Sequence, residues 1–463
     1  MALLRMCERI KRTLPALICL ALLGACAQSA PESAPTPSPT AAVAPALTPA
    51  PTPEPTPEPT PEPTPEPAAR QLTLRLSCDT PYPHDYEDWD EEEAEDVYPV
   101  MYWLSDGFYQ TDVLFPTGAT IRLEADEEIG SLYILFGTYP GEWTLSSGGT
   151  EQRCGAQGFL HEYVKLDVPS RSAEITLPGE GVVIGEICAY TVGYPPAEVQ
   201  VWESPDQPAD ILIFATHADD ELLFMGGLIP YYAAVRGLRV QVVYMTTNYD
   251  PLNRTFYFLS YRFRPHEALD GLWTVGDRVY PITNMVLDQG CESLWEAQYL
   301  YGTDQFAEFQ TEMIRRFKPL VVVTQAERGE YGHGAHILTA LSVERAVVAA
   351  SDPEQFPESA ARYGLWDTPK TYLHEYGTDE TITILNYEEP SDALGGLTPF
   401  EAAQAGYAKH LTQQQWEAFT VFDYGNLHDS HRFGLYRSLV GKDETRDDLM
   451  EHVSREQFPL PEE

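Results

Sequence analysis

The sequence predicts an α/β domain, with a Rossmann-like parallel sheet and helices on both faces, preceded by a β-sandwich. Three observations carry this. From Asp210 onward, short apolar runs such as Ile211–Thr216 and Leu320–Thr324 alternate with helix-length segments, the pattern of parallel strands joined by right-handed helical crossovers. Over residues 70–205 the chain offers only short strand-like runs separated by Gly, Pro and Ser turns, the spacing of a sandwich. Ahead of both, residues 27–69 are dominated by Pro, Thr, Ala and Glu, with Thr-Pro-Glu-Pro repeating, and cannot build a core.

In chain order, residues 1–26 read as an export signal. Arg5, Arg9, Lys11 and Arg12 precede an apolar core too short to cross a bilayer, which takes about 20 residues. The segment ends Leu23-Gly24-Ala25-Cys26, which resembles a bacterial lipobox; that resemblance implies lipidation of Cys26 and a surface-exposed protein whose only membrane contact is its lipid anchor. An ordinary cleaved signal with an incidental Cys is the other reading. Residues 27–69 then form a polyproline stalk, extended at about 3.1 Å per residue, that can hold the rest on the order of 100 Å from its anchor. The formal net charge of −42 over 463 residues excludes nucleic acid and anionic surfaces as partners, since phosphate binding needs Lys and Arg.

The expected strands of the first domain are Gln71–Cys78, Ala119–Ala125, Ser131–Phe136, Glu162–Val168, Ala173–Leu177 and Val182–Tyr190. The acidic run Glu87–Asp96 lacks EF-hand spacing and reads as a solvated loop. Leu104-Ser-Asp-Gly-Phe-Tyr-Gln-Thr111 and Gly185-Glu-Ile-Cys-Ala-Tyr190 resemble discoidin-like, galactose-binding-like modules. The resemblance implies a glycan-binding module, with a purely structural spacer as the alternative. Cys78, Cys154 and Cys188 offer a disulfide whose pairing the sequence leaves open.

Within residues 206–463 the strand Ile211–Thr216 runs into His217-Ala-Asp-Asp-Glu221, and Leu222–Arg236 follows as a helix stopped by Gly237. Further strands are expected at Arg239–Thr246, Arg278–Ile282, Leu320–Thr324, Lys370–Tyr376 and Phe433–Arg437. Helices are expected at Pro265–Thr274, Gln305–Phe317, Ala335–Ala350 and Ala402–Phe419, with a loop over Asn248–Phe263. No nucleotide cofactor fits, because carboxylates replace the Gly-rich turn that would hold a pyrophosphate.

The strand-to-helix turn at His217 lies where open α/β sheets bind ligands. His217 and Asp220, three apart, can face one cation while Asp219 points elsewhere, and His333 and His336 sit at a second strand-to-helix junction. Two His and one Asp with open positions make a catalytic rather than a structural metal arrangement. Helix capping by Asp219 and Asp220 is the competing explanation for that pair. His374, His410, His428 and His431 read by default as exposed or capping.

His217-x-Asp219-Asp220-Glu221, the late His333-x-x-His336, and Arg264-x-x-Glu267-Ala268 running on to Val275-Gly276 resemble the PIG-L / LmbE-like deacetylases. The similarity spans roughly residues 208 to 440. Ala218 stands where that family usually has Pro, and Gly334-Ala335 where it often has Pro-Asp. The resemblance implies a metal-dependent hydrolase removing acetyl from an N-acetylated amino sugar or glycan. Zinc is the expected cofactor, and the donor set also suits iron(II). His217, Asp220 and His336 would be ligands, Asp219 the general base, and His333 the oxyanion stabiliser or proton donor to the leaving amine. Arg264 and Asp288 would hold sugar hydroxyls, with Tyr331 walling the pocket. The alternative function is a non-catalytic glycan-binding surface protein carrying a degenerate deacetylase domain.

Overall fold

The computed structural model describes residues 67–78, 82–83, 100–177, 179, 181–250, 255–256, 262–414, 420–422 and 425–461. The expected signal with Cys26, most of the stalk, the run Glu87–Asp96, residues 415–419 and much of the loop after Asn248 lie outside the described residues; the helix expected over Ala402–Phe419 ends at Tyr407, followed by turns.

The first domain is antiparallel throughout, with strands β1 (Gln71–Leu72), β2 (Arg75–Cys78), β3 (Tyr82–Pro83), β4 (Val113–Phe115), β5 (Ala119–Phe136), β6 (Trp143–Ser147), β7 (Thr150–Cys154), β8 (His161–Leu177) and β9 (Val182–Tyr190). The two runs expected at Ala119–Ala125 and Ser131–Phe136 are one strand, β5, and those at Glu162–Val168 and Ala173–Leu177 are likewise one strand, β8. Register shifts between Glu124 and Ser131 carry β5 past its acidic, exposed middle without ending it. Its first half pairs with β2 and its second with β9. Ile121, Leu123 and Ala125 alternate with exposed Arg122 and Glu124, so period-two patterning buries one face. Cys78, Cys154, Cys188 and Cys291 are all free.

The second domain comprises β10 (Ile211–Ala215), α1 (Asp220–Leu223), β11 (Val240–Tyr244), the hairpin β12 (Tyr249–Asp250) and β13 (Thr255–Phe256), α2 (Arg264–Thr274), β14 (Ile282–Thr283), α3 (Leu294–Tyr301), α4 (Thr303–Phe317), β15 (Val321–Thr324), α5 (Gly334–Ala349), α6 (Pro357–Tyr363), β16 (Lys370–His374), β17 (Ile382–Ile384), α7 (Pro399–Tyr407) and β18 (Arg432–Ser438). Its seven-stranded sheet runs β14-β11-β10-β15-β16-β18-β17. The first five are parallel, whereas β18 is antiparallel to both its neighbours, so the sheet is mixed rather than wholly parallel. Helices cover both faces: Ile211, Ile213 and Ala215 pack with Leu222, Leu269 and Leu272 on one side, Leu212 and Phe214 with Met313, Ile314 and Val343 on the other. A strand buried on both faces reads as an unbroken apolar run, as β10 does.

The helix expected over Leu222–Arg236 is not continuous. After the single turn of α1 the chain passes through turns to a π-helical segment at Pro230–Val235. Gly226 and Gly227 break it: a Cβ at Gly227 would lie 2.5 Å from the Tyr387 ring, and Gly226 has φ +44°, so close approach and backbone conformation both demand glycine.

Candidate metal centre

Parallel strands β10 and β15 are hydrogen-bonded neighbours, so the loops leaving their carboxyl ends meet. Both loops are tied to the scaffold: Gln325, just past β15, accepts from the Thr216 N–H at 3.1 Å and donates from Nε2 to Asp220 Oδ2 at 3.0 Å. His217 Nδ1 lies 3.2 Å from Asp220 Oδ2 and 3.1 Å from His336 Nε2, and His336 Nε2 lies 3.3 Å from Asp220 Oδ2. Ligands of one tetrahedral ion at 2.0–2.2 Å stand about 3.3–3.6 Å apart, so these three donor atoms outline one face of such a site. His333 joins the cluster, since one ring nitrogen from each of His217, His333 and His336 falls within 4.8 Å of the others.

The outer partners select the lone pairs that face inward. His336 Nδ1 is 2.9 Å from Glu330 Oε2, and Asp288 Oδ1 stands 3.6 Å from His217 Nε2, so each ring is flanked by a carboxylate on the side away from the cluster. Glu330 also receives His374 Nδ1 at 2.7 Å and the Ala326 N–H at 3.0 Å. Against its own burial, the His336 and His374 rings hold its carboxyl well below the usual range. Burial would lower the His217 pKa, but Asp288 and Asp220 overcome it and push it up to about 10. The site is thus rich in carboxylates and attracts positive charge, which is the electrostatics a dication requires. The donor set fits a borderline metal such as zinc.

Asp219 is placed differently. Its φ of 152° and ψ of −27° are strained for a residue with a side chain, and its N–H donates to Glu221 Oε2 at 3.0 Å. Its carboxylate makes no capping bond; Oδ1 instead accepts from Arg264 Nη2 at 3.0 Å. Asp220 directs Oδ2 to the His217 N–H at 2.8 Å and to Gln325. Capping therefore does not account for this pair. Burial raises the Asp219 pKa, Arg264 opposes this, and Asp220 adds to it, leaving a net rise.

Arg264 opens α2 and also donates to Ala218 O at 3.0 Å. Glu267, one turn on, is bound instead by Thr412. His333 is partly buried, and its Nδ1 has no hydrogen-bond partner among the described residues, in keeping with Ala335 carrying no carboxylate. Burial, then His217 and His336, lower its pKa to about 3. Gly334 has its own reason: a Cβ there would lie 2.1 Å from Ser293 O. Tyr331 is 51% exposed with φ 44°, its ring 5.3 Å from that of His336.

Against this geometry, residues 212–347 match the family model described as PIG-L, GlcNAc-PI de-N-acetylase. Residues 212–347 are a PIG-L domain. Curated relatives are deacetylases. One is the 1D-myo-inositol 2-acetamido-2-deoxy-alpha-D-glucopyranoside deacetylase of Thermomonospora curvata, 34% identical over 105 residues, 20% of this chain and 35% of that protein. Another is a deacetylase of the same description, numbered 1, from Catenulispora acidiphila, 27% identical over 190 residues, 36% of this chain and 56% of that protein. The chain thus spans about a third to just over half of these relatives. Among solved structures it resembles N,N'-diacetylchitobiose deacetylase from Pyrococcus horikoshii, at 18% identity and TM-score 0.34, covering 46% of this chain and 73% of that one.

Around the PIG-L domain the sequence reading missed a buried outer shell. His374, His410 and His431 are fully buried and His428 is 9% exposed, contrary to the exposed or capping roles expected of them. His374 leaves the end of β16 to reach Glu330, His428 Nε2 accepts the Tyr331 N–H at 3.0 Å, and His431 Nδ1 is 2.9 Å from Asp429 Oδ1. His410 lies 3.8 Å from Glu221 Oε1 behind Asp219. The sequence signal for Glu330 was its place beside the His333/His336 pair, six residues before a ligand candidate; Gln325 and His374 carried no signal beyond standing at strand ends.

Proposed function

We propose that this chain is a zinc-dependent hydrolase that removes the N-acetyl group from an amino sugar or glycan, with His217, Asp220 and His336 holding the ion. The observation that carries this is the three-donor face, 3.1–3.3 Å on its edges, beside a carboxylate that the same motif turns toward Arg264 rather than into the face. A zinc ion bound there supplies Lewis-acid polarisation of the amide carbonyl and lowers the pKa of a water. Asp219 takes a proton from the attacking water and delivers it to the leaving amine, with Arg264 fixing which oxygen is free. His333, kept neutral by burial and its neighbours, donates a hydrogen bond to the oxyanion rather than a proton. Asp288 orients His217, as Glu330 orients His336, and Tyr331 stands at the rim where a sugar would enter.

The test is acetate release from a panel of N-acetylated amino sugars by zinc-loaded protein, with and without chelator. Release that chelator abolishes and zinc restores is the expected result. No release from any sugar by loaded protein would instead favour the non-catalytic, glycan-binding role.

Two further parts of the proposal concern the rest of the chain. We read the β domain as a discoidin-like sandwich, supported by β5, which runs along β8 over its whole length while its other edge changes partner from β2 to β9. Export and lipid anchoring through Cys26, with the stalk as spacer, place the enzyme at the cell surface; the support is the Leu-Gly-Ala-Cys sequence followed by the Pro-rich segment.

A further inference from the structure

A cavity of about 450 Å³ opens beside the metal centre, with His217 and Arg264 in its lining. That volume lies within the range of about 300–1,000 Å³ usual for small-molecule sites. Its far side is not built by the PIG-L domain: Tyr139, Phe159 and Leu160, all from the β domain, form that wall. Ile282 and Met285, from the edge strand β14 and the loop after it, face them.

The wall is anchored. The Phe159 ring stacks on Tyr280, centroids 4.1 Å apart at 18°, and the Leu160 N–H donates to the Tyr280 hydroxyl at 3.0 Å. Tyr139 meets Tyr249 edge to face at 5.2 Å. The β domain also grips α2, the helix that begins with Arg264. His161 Nε2 is 2.8 Å from His266 Nδ1, Gln200 Nε2 donates to Asp270 Oδ1 at 2.6 Å, and Tyr109 stacks on His266. A wall fixed to the catalytic helix at these points keeps its position relative to His217.

Chemistry along the cavity changes from one end to the other. Arg264, His217 and Thr246 make the end at the metal polar, whereas the β-domain side presents Tyr139, Phe159 and Leu160 together with Gln157 and Arg316, which are bonded to Ser204 and to Pro205 O, and no carboxylate lies among its described lining residues. A second sugar lying against those rings would bury hydroxyls with few partners, which is unfavourable. An apolar group would bury against rings and side chains instead.

We propose that the β domain completes the substrate cavity, and that the cavity takes an apolar substituent carried by the amino sugar, with Tyr139 and Phe159 determining that preference. The proposal rests on the deacetylase reading above. It assigns the β domain a part in substrate selection, apart from any glycan binding on its own surface.

The experiment compares the octyl and methyl glycosides of N-acetylglucosamine with zinc-loaded, full-length protein. The parent is expected to favour the octyl glycoside by on the order of tenfold in kcat/KM, mainly through KM. Tyr139→Ala and the conservative Phe159→Leu, each checked for metal content and thermal midpoint, are expected to move that ratio toward one. A parent ratio near one, or folded variants that keep the parent's ratio, overturns the proposal. Should neither glycoside be deacetylated, the enzymatic reading fails on its own. Calorimetric binding of the octyl glycoside then decides the cavity: weakening by about tenfold in both variants supports it, and absent or unchanged binding overturns it.

Discussion

Glu330→Gln distinguishes a built metal centre from a chance gathering of histidines. The Glu330 carboxylate is fully buried and receives His336 Nδ1 at 2.9 Å, His374 Nδ1 at 2.7 Å and the Ala326 N–H at 3.0 Å. Glutamine has nearly the same shape but one acceptor oxygen instead of two, so its amide N–H₂ must face an imidazole N–H or force that ring to change tautomer. If His336 is a ligand through Nε2 and the amide faces it, either outcome disturbs the lone pair that binds the ion; the opposite amide orientation sets N–H₂ against both the His374 ring and the Ala326 N–H, which disfavours it. Outer partners of this kind are worth about 10–100-fold in metal affinity, equivalent to about 1.4–2.8 kcal/mol. The fold should survive, because one unpaired buried donor costs about 1–3 kcal/mol against a typical stability of about 5–15 kcal/mol. Competition with a chromophoric chelator measures zinc affinity, and kcat/KM should fall in parallel. A folded Glu330→Gln protein that binds zinc within twofold of the parent would refute the assignment of Glu330 as the partner that orients a ligand.

Arg264→Gln should keep its metal and lose turnover, because Arg264 donates to Asp219 Oδ1 and Ala218 O; metal content measured beside kcat checks this, and loss of zinc would argue against that division of labour. Burial lowers the pKa of His161 and of His266 from the ordinary 6.5. Unfolded chain therefore binds protons that folded chain refuses as pH drops through about 6.5, so stability is present above that pH and is lost below it. The thermal midpoint should fall between pH 7 and pH 5, and His266→Gln should flatten that fall even if it lowers the midpoint at pH 7; an unchanged slope would remove this pair from the pH response. Cys26→Ser should release the protein from the membrane fraction with deacetylation of a soluble sugar unaltered, and unchanged retention would sink the lipid-anchor proposal.

Legibility from sequence followed how local the physics was. β10 and β15 were readable because strands covered on both faces must be apolar throughout, and the chemistry after them stands out against that background. That His217, Asp220 and His336 come together was readable for the same reason. The antiparallel β18 was not, since a short apolar run carries no sign of its direction. Nor was the break after α1, where the need for Gly226 and Gly227 comes from Ser430 and Tyr387, some 160 to 200 residues away in the chain. Glu330, His374 and Gln325 act through partners that only the fold brings near, and a buried histidine paired with a carboxylate looks in sequence like an exposed one. Arg264 was expected at the sugar; its contact with Asp219 depends on α2 starting opposite the His217 turn, which spacing does not encode.

Zinc content and turnover measured together on purified Asp219→Asn and Asp220→Asn test the central claim most directly. Asp220→Asn should lose the metal and with it activity, since Oδ2 is one corner of the three-donor face. Asp219→Asn should keep the metal and fall by about 10²–10⁴-fold in kcat with a smaller change in KM, the usual contribution of a general base. Two folded variants that both retain zinc and parental turnover would contradict the assignment of ligand and base to these neighbouring aspartates, and with it the proposed mechanism.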